Sequence, residues 1–167
     1  MANNHGVFIG THCAFWDCDS KNFVGINTTT DFDNGNFVAL GDIVNTNGVI
    51  DEYVFNVTAG STGDYVIGTP PVGYDFEMQL YDDPRYFYNK RGLPMSIKHL
   101  EVGDCIEVTE ACFSTAPTLG TSTVASVSSG KLVAAASGAD APFKILGQKH
   151  IDIGGEAVVT WVLMKVK

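Results

Sequence analysis

Positive charge is nearly missing from the first half of this 167-residue chain. Residues 1–83 hold 12 acids and one base, Lys21, for a net −11, while residues 84–167 hold seven acids and nine bases, for a net +2, together giving the overall −9. Such a chain is repelled by phosphate backbones and anionic membranes, so nucleic acid and membrane are not expected as direct partners. Long apolar runs are missing too: no window approaches the roughly 20 residues of a membrane span. The start MANNHGVFIG has neither a basic region nor a long apolar core, so the reading is a protein made in a cytosol without export.

Several chemistries lack their motifs. There is no G-x-S-x-G elbow, no Walker loop, no dinucleotide-binding glycine fingerprint and no H-E-x-x-H, so no cofactor is expected. The cysteines, Cys13, Cys18, Cys105 and Cys112, are spaced C-x4-C and C-x6-C rather than as the tight knuckle of zinc sites, and are read as reduced thiols rather than metal ligands. Paired carboxylates such as Asp51-Glu52, Asp82-Asp83 and Asp75 with Glu77 are read as solvated turns.

What is abundant is glycine, 18 residues, in a chain only 17% charged, a composition of many turns and short strands. β-Branched and aromatic runs recur between Gly, Asn, Asp and Ser: NFVAL, EYVFNV (52–57), DYVIG (64–68) and GDCIEVTE (103–110). Asn34-Gly35 and Asn47-Gly48 are tight-turn signals. The acids of DFDNG partly match a calcium loop counted from Asp31. Gly35 falls where a side-chain ligand is needed, however, and the flanks lack helical periodicity, so a turn feeding a strand is the expectation.

Residues 1–30 read as an extended N-terminal arm ahead of one β-rich domain, 31–167. Segment 72–95 reads as a short helix or long loop in which Tyr74, Phe76, Tyr81, Tyr86, Phe87 and Tyr88 are partly buried. The low bulk of 114–141 predicts an exposed hairpin about Ser129-Gly130, and the last strand, apolar on both faces, suits a central position. The fold expected is all-β, a compact barrel or sandwich of about ten strands.

The order "DFDNGNFVALG", then "GDYVIGTPPVGYDFEMQLYDDPRYFYNKRGLPMSIKHLEVGDCIEVT", then "FKILGQKHIDIGGEAVVTWVLMKV" resembles the small β-rich decoration, or cement, proteins of tailed-bacteriophage capsids. The likeness lies in the Asn-Gly turn into a strand, the tyrosine-rich acidic stretch, Asn89-Lys90-Arg91-Gly92, the Leu100–Asp104 turn and the closing apolar strand. It spans about residues 31–113 and 142–166. It implies a virion protein without catalysis that binds the major capsid protein where subunits meet, and that associates with itself as a homotrimer or other homo-oligomer. The arm would bind by strand addition, with Phe8, Ile9, Phe15, Trp16 and Phe23 as anchors; the alternative use of these side chains is to complete the chain's own core. Two rival functions remain: a virion-surface module that recognises host glycans through tyrosines, and a small β-barrel hydrolase using His150 with Asp152, or a thiol.

Overall fold

The computed structural model describes residues 5–45, 47–50, 52–71, 83–138 and 140–167. Among these the chain is all-β, with twelve strands and a few short 3-10 turns. No helix among the described residues is long and apolar enough to cross a membrane.

Five strands close a small barrel in the order β2-β4-β3-β5-β6: β2 (Asn22–Ile26), β4 (Val54–Ala59), β3 (Phe37–Ile43), β5 (Tyr65–Ile67) and β6 (Met95–His99). All its pairings are antiparallel except β2 with β4. Its interior is filled by Phe32, Val38, Val57, Ile67, Met95 and Ile97. Gly25 leaves room for this filling, because a Cβ there would lie 2.3 Å from Ile97 Cδ1.

The other seven strands form one sheet in the order β1-β7-β12-β11-β9-β10-β8. They are β1 (Phe8–His12), β7 (Cys105–Thr109), β8 (Phe113–Thr115), β9 (Val124–Ser128), β10 (Lys131–Ala135), β11 (Phe143–Ile153) and β12 (Glu156–Lys165). The last strand is interior to the sheet, between β7 and β11, as its two apolar faces predict. The sheet's core includes Phe37 and Val66 from the barrel, so the two layers share apolar contacts.

Two expectations need correction. Residues 5–30 are not an arm lying off the body: β1 pairs with β7, β2 closes the barrel, and Phe15 and Cys13 belong to the sheet's core. The short apolar pieces there are strand-length because each strand needs only five residues. The hairpin within 114–141 does turn at Ser129-Gly130, but it is not exposed: Ala125, Val127, Leu132 and Ala134 are buried while Ser126 and Ser128 face outward. Its low bulk is a packing requirement, since Ala125 lies in register opposite Phe143, whose ring packs on Phe37 at 5.3 Å.

Of the tyrosine-rich segment, Tyr74, Phe76 and Tyr81 lie outside the described residues, as do Asp75, Glu77 and Asp82. Phe87 is buried, and Tyr86 and Tyr88 are half-buried.

Candidate functional site

β1 is an edge strand, with β7 as its one neighbour among the described residues. Two glycines shape what lies beside it. A Cβ on Gly10 would sit 2.5 Å from Phe15 Cζ, and one on Gly68 would sit 2.8 Å from Phe8 Cε1. Without side chains at these two positions, the rings of Phe8 and Phe15 come close against the backbone, with centroids 6.3 Å apart. Trp16 extends the row, 5.1 Å from Phe15, and its indole N–H donates to the Gly10 carbonyl at 3.1 Å.

The elbow that presents Phe15 and Trp16 is held by polar side chains. Asp104 accepts from the Ala14 N–H at 2.9 Å, and Asn22 donates to the carbonyls of Phe15 and Cys18. The Lys98 ammonium donates to Asn22 Oδ1 at 2.7 Å and lies 5.8 Å from the Phe15 ring centroid. Burial holds this lysine below its ordinary range.

The result is an open, mostly apolar groove of about 490 Å³. One bank is Phe8–Gly10 with Phe15 and Trp16; the other carries Thr69–Pro71, Pro84 and the end of β11, Ile151–Ile153. Four of the five anchors named from the sequence, Phe8, Ile9, Phe15 and Trp16, therefore meet at one site. Phe15 forms its floor, at 2% exposure, and Trp16 its rim, at 65%. Phe23 is elsewhere: it packs edge-on against Phe55 and Tyr65 beside the barrel core. The sequence reading missed the far bank, because Pro70, Pro71 and Ile151 are brought there only by the closing of barrel and sheet.

The polar groups facing the groove hold the chain itself. Asn34 exchanges two hydrogen bonds with the Thr69 backbone, at 2.8 and 3.1 Å, and Asp152 accepts from the Gly155 N–H in the β11–β12 turn. His150 is exposed opposite Val159, and no hydrogen bond joins it to Asp152. Burial, helped by the Asp104 charge, pushes the Cys13 thiol up to about 12, and burial does the same to Cys112. All four cysteines are free.

The DFDNG stretch is a turn, with Gly35 at φ +81° and the Asn36 N–H on the Asp33 carbonyl. Its acids serve separate partners: Asp31 accepts from the Arg91 N–H, and Asp33 pairs with His5 at 2.8 Å. Among the described residues no group of three His, Cys, Asp or Glu is placed to hold a metal ion.

Comparison with protein-family models, with curated proteins and with solved structures finds no match to this chain.

Proposed function

We propose that the protein is a non-catalytic virion component that binds the major capsid protein and stabilises the shell, a decoration protein of the kind the sequence resembles. The groove along β1 is its capsid contact. The observation that carries this reading is the meeting of Phe8, Ile9, Phe15 and Trp16 at one open apolar groove beside β1, an edge strand among the described residues. An edge strand offers backbone hydrogen bonds to an added segment, and flanking pockets take its side chains. The direction differs from that expected of an arm: β1 stays in its own sheet and receives the partner's strand. A groove of this size takes a few side chains of an extended peptide, and an exposed tryptophan on its rim is the residue type that dominates such contacts. Binding to the assembled shell then stabilises it by linkage.

The test is quantitative mass spectrometry of purified virions from the source of this chain, counting copies against the major capsid protein. Copies in the hundreds, in fixed ratio to capsid subunits, support the proposal. A dozen or fewer indicate a vertex or tail component, and absence from virions overturns the structural reading.

A further inference from the structure

Eleven large hydrophobic side chains are exposed among the described residues; two of them, Val44 and Val49, line one concavity away from the groove, and Ile50, Tyr53 and Leu93 adjoin its lining residues in sequence. The topology explains the grouping. Val24 and Val54 are register partners on neighbouring barrel strands, and the connection from β3 to β4 brings Val44 and Val49 beside Val54. Val44 and Val49, with Ile26, Asn45, Glu52, Val54 and Pro94, line a shallow concavity of about 260 Å³ on the outer wall of the barrel. Tyr53, at 79%, is the most exposed of all eleven. Single exposed apolar residues are ordinary on a protein surface, but several gathered about one apolar concavity mark a contact face.

Charge indicates what covers it. Glu52 stands on the β3–β4 bank of the concavity. On the opposite bank, the turn that leads through Leu93 to Pro94 carries Lys90 and Arg91, both exposed. Asp31 uses one carboxylate oxygen on the Arg91 N–H, so this bank keeps two cations against one acid. The face thus has an apolar centre with an acid on one side and a basic pair on the other. A patch so arranged complements itself: rotated by 180° onto a copy, the Glu52 side of each meets the Lys90–Arg91 side of the other.

We infer that this barrel wall is a self-association face, on which a second copy of the chain docks about a two-fold axis. Val44 and Val49 form its apolar centre with Ile50 and Tyr53 beside them, and Glu52 pairs across it with Lys90 and Arg91 of the partner. The inference is independent of the groove, which lies on other strands.

Sedimentation equilibrium on the full chain, from about 1 to about 100 μM, spans the range where modest interfaces dissociate. A monomer–dimer equilibrium is expected. Val49→Ser with Tyr53→Ser raises the dissociation constant roughly 100-fold, because it removes an apolar side chain of the concavity and the exposed aromatic beside it. Glu52→Lys alone, or Lys90→Glu with Arg91→Glu, weakens association about tenfold or more, and mixing those two variants restores it as a heterodimer. All these positions are exposed, so folding is retained, and the mixing step separates lost pairing from a damaged fold. Trp16→Ala leaves the equilibrium unchanged. A monomer at every concentration, a trimer, or a dimer indifferent to Tyr53 and to the charge reversals overturns the inference.

Discussion

The backbone N–H of Phe37 donates to the carbonyl of Gly130 at 2.7 Å, tying the barrel's third strand to the hairpin turn of the sheet. The bond belongs to a ring of three: Gly130 N–H donates to Gly60 at 2.8 Å, and Gly60 N–H donates back to Phe37 at 2.9 Å. Neither glycine has room for a side chain. A Cβ on Gly60 would lie 2.7 Å from the Val38 carbonyl carbon, and Gly130 has φ +80° with the Phe37 oxygen 3.0 Å from its Cβ position. Gly130→Ala is therefore expected to cost about 1–3 kcal/mol, combining left-handed backbone strain with a stretched joint. Urea unfolding followed by far-UV and tryptophan signals checks it: the midpoint falls, and the two signals stay coincident if the joint couples the layers.

Phe15 and Trp16 are neighbours in sequence with opposite roles, and one pair of substitutions separates them. Phe15→Ala opens a cavity under β1 and costs about 3–5 kcal/mol, whereas Trp16→Ala loses one exposed hydrogen bond and costs about 1 kcal/mol or less. Under the proposed function, Trp16→Ala chains that are folded and equally stable fail to bind emptied capsid shells, measured by co-sedimentation. Retained binding by Trp16→Ala removes the groove from the capsid contact.

The all-β class was legible because strands here announce themselves locally. NFVAL, DYVIG and GDCIEV are β-branched or aromatic runs closed by residues that turn, and Gly35, Gly48 and Gly130 have positive φ at predicted turns. The division into barrel and sheet was not legible, since it depends on which strands pair. β2 beside β4 and β6, or β10 beside β8, are pairings between segments whose local sequence carries no mark of the partner. The β9–β10 hairpin misled for a related reason. Bulk is a signal of burial only when the facing residues are unknown, and Ala125 is small because Phe143 is large. Half of the groove was readable, as Phe8 to Trp16 are conspicuous in a polar stretch; its proline bank arrives from about 55 residues away by the fold alone.

Acid should weaken the fold in two steps. His99 is held below its ordinary value by burial and then by Lys21 and Lys165, so the unfolded chain takes up that proton first. A group with a lowered folded pKa stabilises above its unfolded value and loses that stabilisation as pH falls; for His99 the loss begins near pH ~6.5. Asp64 is lowered mainly by its 2.7 Å hydrogen bond to the buried Lys165, and Asp83 mainly by its hydrogen bonds with Arg85, so their contribution is lost only below pH ~4. Melting temperature measured from pH 8 to 3 is expected to fall in both windows. His99→Gln removes the upper step and leaves the lower; a fall near pH 6 that survives in His99→Gln assigns it to another group.

The thiols give a measure of opening at the joint between the layers. Cys112 has no exposure, and its Sγ lies where a Cβ on Gly35 would be 2.6 Å away and one on Gly6 2.8 Å, so it plugs the seam between DFDNG and the sheet. Burial pushes it up to about 12. Cys18 differs: it is partly exposed, and its hydrogen bond with Ser20 lowers it from the usual thiol value. Only the thiolate reacts, so near pH 8 Cys18 should be alkylated faster than Cys112 by on the order of 10³-fold or more in the folded protein. Cys112 then reacts chiefly through unfolding, at a rate set by the population of the open state. Gly130→Ala, by lowering stability about 2 kcal/mol, should speed Cys112 labelling roughly 30-fold and leave Cys18 unchanged. Peptide-resolved mass spectrometry after timed iodoacetamide treatment reads both rates in one sample. Equal acceleration at the two cysteines would mean that Gly130→Ala loosens the Cys18 turn directly. No acceleration at Cys112 would mean that the seam opens without breaking the Phe37–Gly130 bond.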